Sequence, residues 1–216
     1  STESLGLVYL DGDGRGAARV ALPEGYRLEG SLRHSLSSDG RYLVLYAGTA
    51  AEAPYDLRLG LYDLERGTLA QEITLLSPGY PEDLRDLFRE HIAPDAGFDP
   101  ADAASFQEMI GRWYLSLWDW SPNGRYLAFA GQRDGPSTDV YLLDVPTGQV
   151  RRMTDGSEQV VSLEWSPDGR RILNGSSNDF GEGMQIHFWS ADVTTDRNVS
   201  LGSAAAGVAR WVSSEQ

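Results

Sequence analysis

A turn recurs along this chain. Ser37-Ser38-Asp39-Gly40-Arg41, Ser121-Pro122-Asn123-Gly124-Arg125 and Ser166-Pro167-Asp168-Gly169-Arg170 are three versions of one phrase. A large apolar residue precedes each (Leu36, Trp120, Trp165), and a short apolar run follows each (Tyr42 to Tyr46, Tyr126 to Ala130, Ile172 and Leu173). Trp120 and Trp165 lie 45 residues apart, and Trp211 follows 46 later. Self-similarity at this period means one supersecondary unit stacked on copies of itself. It also means that the repeated residues are scaffold, so function belongs to what does not repeat.

The copy from Tyr114 to Asp155 shows what one unit is. Leu115, Leu117 and Trp118 belong to a strand ending at Trp120. Ser121-Pro122-Asn123-Gly124 suits a type I turn, with Pro presetting the bend. Tyr126 to Ala130 is apolar on both faces, as in a strand sandwiched between layers. Gly131 to Asp139 is a polar loop, Val140 to Val145 a third strand, Pro146-Thr147-Gly148 a turn, and Gln149 to Thr154 a shorter, more polar fourth strand. This is a four-stranded antiparallel meander, wetter at its last strand, and such meanders stacked radially make a propeller. The Leu36 copy predicts strands near 28–36, 42–46, 57–64 and 69–76. The Trp165 copy predicts them near 160–165, 171–174, 184–189 and 198–201. Val8-Tyr9-Leu10-Asp11 matches a third strand and Arg19 to Leu22 a fourth. The fold class is therefore all-β, a β-propeller of four-stranded antiparallel blades with a short helical insertion between blades. The expected divisions are a half blade 1–26, blades 27–76, 113–156 and 157–202, the start of a further blade 203–216, and an insertion 77–112. Joining 203–216 to 1–22 gives a fourth blade without its second strand. The chain is expected to be a single propeller domain or a fragment of a larger propeller, with a second chain or a missing segment completing that open blade, because an exposed strand edge invites aggregation.

The phrase Trp-Ser-Pro-Asp-Gly-Arg, then an apolar strand, then Tyr141-Leu142-Leu143-Asp144 with a Thr-Gly turn, resembles the repeat of TolB-like, WD-repeat-like propellers. It is similar also to the propeller domains of prolyl-oligopeptidase-type peptidases. The resemblance covers nearly all of the chain except 77–112. It implies a bacterial protein that binds other proteins, or a gate beside a separate hydrolase domain, in a periplasmic or otherwise extracytoplasmic setting. The Gly-His…Trp-Asp signature of ordinary WD repeats is missing, and Trp118-Asp119 falls on a first strand.

Composition narrows the partners. The chain has 216 residues and a net charge of -14. Such a surface repels phosphate backbones and anionic lipid, so nucleic acid is not an expected partner. No apolar run has the length of a membrane span, so no membrane insertion is expected. Lysine and cysteine are both absent, which removes disulfides, thiolate metal sites and a Cys nucleophile.

Strand parity places function. First-to-second and third-to-fourth turns lie on one face of a meander; second-to-third loops and blade-to-blade connections lie on the other. The tight repeated turns all fall on the first face. The long, dissimilar segments (48–56, 131–139, 175–183 and the insertion) all fall on the second, and variable loops on a rigid scaffold carry binding. Within the insertion, Leu84, Leu87, Phe88 and Ile92 share one helical face. Asp99-Pro100 reads as the start of a second helix with Phe106, Met109, Ile110 and Trp113 on its apolar side. The candidate binding residues on the loop face are Tyr55, Asp56, Trp113, Tyr114, Arg133, Asp134, Asp139, Asp179 and Phe180.

Catalytic and metal chemistry find little support. Asp11-Gly12-Asp13-Gly14 begins like a calcium loop, but its fifth and twelfth positions hold Arg15 and Leu22, so it reads as a hairpin turn. Asn178, Asp179 and Glu182 read as a solvated loop. Nothing groups His34, His91 and His187, and there is no Gly-x-Ser-x-Gly elbow, phosphate loop or Ser/His/Asp set. Asn174-Gly175-Ser176 and Asn198-Val199-Ser200 match glycosylation sequons, which mean little in a bacterial protein. No cofactor and no metal are expected. The reading is a non-enzymatic propeller that binds a protein or peptide through the loop face bearing 77–112; the alternative is an accessory, gating propeller of a larger hydrolase.

Overall fold

The computed structural model describes residues 7–10, 17–28, 35–49, 55–80, 82, 117–178, 184–205 and 209–212. The helical insertion expected over 77–112 lies almost wholly outside the described residues. So do Trp113, Tyr114, Asp179, Phe180, His34 and His91.

Three four-stranded antiparallel sheets follow one another along the chain. The first blade comprises β3 (Tyr26–Arg27), β4 (Tyr42–Ala47), β5 (Arg58–Asp63) and β6 (Thr68–Thr74). The second comprises β7 (Trp118–Trp120), β8 (Tyr126–Gly131), β9 (Asp139–Asp144) and β10 (Gln149–Arg152). The third comprises β11 (Gln159–Trp165), β12 (Arg171–Ser177), β13 (Gln185–Asp192) and β14 (Asn198–Ala205). Before them, β1 (Leu7–Leu10) and β2 (Ala17–Val20) pair as a hairpin in a sheet of their own. Each blade is a meander whose strands pair in sequence order. The first strand expected at 28–36 differs: β3 is short and lies earlier, and Leu36 makes only an isolated bridge to Leu43. In the third blade β12 and β14 run several residues beyond the expected ends, because β13 is long enough to pair with both.

Alternation along β8 explains why its sequence is apolar throughout. Leu127 and Phe129 join Leu59, Leu61 and Ile73 in one buried cluster against the first blade, with Tyr141 and Leu143 beside them. Ala128 and Ala130 join Val160, Trp165, Ile172 and Ala191 in a second cluster against the third blade. A strand buried on both faces has no polar side, so period-two patterning disappears. Each Leu or Phe so placed stabilises the stack by about 1.5–3 kcal/mol relative to exposure.

The repeated turn is a small hydrogen-bonded module. Ser166 Oγ donates to Asp168 Oδ1 (2.6 Å) and accepts the Arg171 N–H (2.9 Å), while Asp168 Oδ1 accepts the Arg170 N–H (3.0 Å). Ser121 and Asn123 repeat this with 2.8, 2.9 and 3.0 Å contacts. Ser37 and Asp39 repeat it again. Gly40, Gly124 and Gly169 follow at φ 75°, 67° and 66°, a conformation that a Cβ strains. The next residue, Arg, bonds the end of the third strand: Arg41 to Asp63 and Arg125 to Asp144, each at 2.9 Å. Consecutive turns also touch, with Ser38 Oγ donating to Ser121 O at 2.9 Å.

Candidate functional site: a polar cleft between the second and third blades

On the turn face, the Ser and the Asp or Asn of each phrase hold the turn, and Arg41 and Arg125 reach Asp63 and Asp144. On the loop face, blade connections pack against second-to-third loops. Ser77 N–H donates to Gln132 O, and the Gln132 N–H to Leu75 O (2.8 Å). Thr138 N–H donates to Gln159 Oε1 (2.9 Å), and Ser137 Oγ to Gly156 O (2.6 Å).

The described loop candidates are largely engaged inside the fold. Tyr55 is half-buried, its ring edge-on to Tyr80 at 5.7 Å. Asp56 closes the loop after Gly48, accepting the Thr49 N–H at 3.2 Å. Arg133 lies over the Tyr141 ring, 5.3 Å from its centroid, and Asp134 accepts the Tyr141 hydroxyl at 2.9 Å. Burial, and then that hydrogen bond, push the Tyr141 phenol well above its ordinary pKa. Asp139 is only 2% exposed and accepts from Arg152 (2.5 Å), Thr154 Oγ1 (2.8 Å) and the Gly156 N–H (3.2 Å). Asp139 contributes to one wall of a cleft; the other described candidates do not line it.

That cleft, about 520 Å³, opens between the second and third blades. One wall is the connection from Thr154 to Glu158; the other is the face of β12 and β13 bearing Asn174, Ser176, His187 and Trp189. Pairing puts these four on one face: Asn174 opposite Trp189 and Ser176 opposite His187, continuing the row of Ile172 opposite Ala191, which packs on the second blade. Glu158 sits at the centre. Its Oε2 accepts the Ser176 hydroxyl at 2.6 Å and its Oε1 lies 2.6 Å from His187 Nδ1. The carboxylate therefore stands between the serine and the histidine. A nucleophilic serine needs the base at its own oxygen, so this order is not a catalytic triad. Among the described residues no group of three His, Cys, Asp or Glu is arranged to hold a metal ion.

Asn174 is one of several buried polar side chains here with an unanswered atom. It is 2% exposed, yet its Oδ1 has no hydrogen-bond partner. Its burial also closes the first sequon to modification, while Asn198 of the second donates to Met153 O at 2.8 Å. Counted from the residue that opens each turn phrase, Asn174 follows Trp165 by nine, as Phe129 follows Trp120 and Leu45 follows Leu36. Phe129 and Leu45 are fully buried, and Phe129 stacks on Tyr141 at 5.7 Å. Two positions on, Ala47, Gly131 and Ser176 correspond. The gap that apolar packing fills between the first two blades is thus polar and hollow between the second and third. Reading the loops one at a time misses this; laying the three copies over one another finds it.

Solved structures share this architecture. A structure of prolyl endopeptidases aligns with 93% of this chain and 26% of its own, with a TM-score of 0.57 and 11% identity. The fold is a β-propeller. Likeness in sequence is confined to parts of the chain. The uncharacterized peptidase YuxL of Bacillus subtilis is 42% identical over 67 residues, which are 31% of this chain and 10% of that protein. The Tol-Pal system protein TolB of Francisella tularensis is 28% identical over 82 residues, 38% of this chain and 19% of that protein. The matched segments thus span at most about a fifth of these relatives' length. No family model matches the chain. Propeller architecture is shared by proteins of different activity, so it does not choose among them.

Proposed function

We propose that this propeller is a non-enzymatic scaffold that binds a protein or peptide through its loop face, and that the cleft between the second and third blades belongs to the binding surface. The observation that carries this is the asymmetry at the blade boundaries: where the repeat elsewhere places Leu45 and Phe129, it places Asn174 with an unanswered oxygen beside an open cleft. A buried amide without a partner destabilises a fold by about 1–3 kcal/mol, and a ligand that answers it recovers that loss on binding. The proposal extends, from chain order alone, to the insertion 77–112 and the loop candidates Trp113, Tyr114, Asp179 and Phe180. Photo-crosslinkers placed at Ser157 or Arg133, against Pro122 or Pro167 on the turn face, test the assignment. Capture of one defined partner from the first pair alone supports it; equal capture from the second pair rejects it.

A second reading is an accessory propeller that gates a separate hydrolase domain. The 42% identity to a protein described as a peptidase favours it. A Gly-x-Ser-x-Gly segment in the parent open reading frame supports that reading, and a parent without any hydrolase domain excludes it.

A further inference from the structure

Resting on the loop-face reading, we propose that the cleft between the second and third blades receives a cationic nitrogen group, a guanidinium or ammonium, carried by the partner peptide. Three features of the cleft point to that chemistry. Its lining holds three carboxylates, Asp139, Asp155 and Glu158, and no Arg. Asp139 is taken by Arg152, which also reaches the exposed Asp155 at 3.0 Å. Glu158 is answered only by a hydroxyl and an imidazole, so its negative charge meets no Arg among the described residues. A carboxylate oxygen has two lone pairs, so each oxygen of Glu158 keeps one acceptor position.

Several acceptor positions at this boundary are unmet, alongside the unpartnered amide donor of Gln159. Asn174 Oδ1 is buried and unpartnered, and its strand position faces the cleft beside Ser176. With the imidazole neutral, His187 Nδ1–H donates to Glu158 and Nε2 is left as a further acceptor. A ligand that supplies several N–H donors and one positive charge answers all of these acceptors together, and charge-assisted bonds of this kind are the strong ones. Trp189 lines the same cleft and offers an aromatic wall for the alkyl stem or the cation. The net charge of -14 draws a cation toward the protein from solution. An anionic or purely apolar ligand would leave Glu158 and Asn174 worse off than water does.

Calorimetric titration of the whole chain with acetyl-Gly-Arg-Gly-amide, its citrulline counterpart and agmatine tests this. The arginine peptide is expected to bind at least about tenfold more tightly than the neutral citrulline isostere, because the ion pair is lost with the charge. Glu158→Gln is expected to weaken arginine-peptide binding by about tenfold or more. Asn174→Leu, which restores the residue type of the other blades, is expected to abolish binding while leaving the protein folded. Agmatine carries the same guanidinium with a second, ammonium charge, so peptide binding at least as tight as agmatine's, despite the peptide's single charge, supports a peptide side chain as the source. Equal binding of arginine and citrulline peptides, unchanged affinity in Glu158→Gln, or no binding of either cation at millimolar concentration overturns the proposal. Loop-face crosslinking that persists in Glu158→Gln, alongside such a failure, removes the cation and leaves the docking reading standing.

Discussion

The indole Nε1 of Trp165 donates to the backbone carbonyl of Asp119 at 3.0 Å, and the Trp165 backbone N–H donates to the Asp119 carboxylate at 2.8 Å. Asp119 immediately precedes Trp120 at the end of the previous blade's first strand. The same step occurs twice more: Trp120 Nε1 donates to Ser35 O and Trp211 Nε1 to Glu164 O, each at 3.3 Å. Each acceptor precedes the residue that opens a turn phrase: Leu36, Trp120 and Trp165. The repeated tryptophan is therefore a clasp between successive units, and its spacing is that of the blades.

Trp165→Phe keeps most of the apolar area and removes the indole donor, so the hydrogen bond to the Asp119 carbonyl is lost. The variant is expected to be less stable by about 1–2 kcal/mol, read as a lower urea midpoint with an unchanged m-value. An unchanged midpoint would mean that the clasp contributes nothing.

The turn module predicts a loss of stability without loss of function. Ser121→Ala deprives the Tyr126 N–H of the Ser121 Oγ acceptor at 2.9 Å and removes one of the two hydrogen bonds to Asn123 Oδ1. Stability is expected to fall by about 1 kcal/mol, with ligand binding at the opposite face unaltered. A binding defect in a folded Ser121→Ala protein would place function on the turn face.

Acid sensitivity has a local source in the turn between β13 and β14. The backbone N–H groups of Thr195 and Thr194, joined by the Thr194 hydroxyl, hold the Asp192 carboxyl down to about 2. A carboxyl depressed in the folded state stabilises it above the unfolded pKa of about 3.9 and loses that contribution as pH falls toward the folded value. Native protein should therefore lose stability between about pH 4 and pH 2. Asp192→Asn should show a shallower decline over the same window in acid titrations followed by circular dichroism. Parallel declines would assign the acid sensitivity elsewhere.

How much of this was legible in the sequence depends on what fixes each feature. The blades were legible because a turn needs Ser, Asp or Asn, Gly and Arg at fixed offsets, and the apolar run of β8 needs two buried faces. The face of the long loops followed from strand parity, a property of chain order alone. The site was legible only in part. Asp139 and Asp134 are charged loop residues and look available in one dimension, but Arg152 and the Tyr141 hydroxyl claim them once β9 and β10 pair. His187 looks isolated because its partner Glu158 belongs to a blade connection, and only the pairing of β12 with β13 brings Ser176 beside it. Asn174 was visible all along as the residue breaking the series Leu45, Phe129, Asn174. The void beside it depends on how two blades pack, and no local pattern encodes that.

Thermal unfolding of native protein and Asn174→Leu, run side by side without ligand, tests most directly whether the third blade carries a polar site at the expense of its own stability. Replacing an unpartnered buried amide by the apolar residue type of the other blades is expected to raise stability by about 1–2 kcal/mol, seen as a Tm higher by roughly 2–8 °C for a chain of this size. A Tm that falls instead, as for a disturbed core, would show that Asn174 is structurally satisfied, and would contradict a binding site built at that boundary.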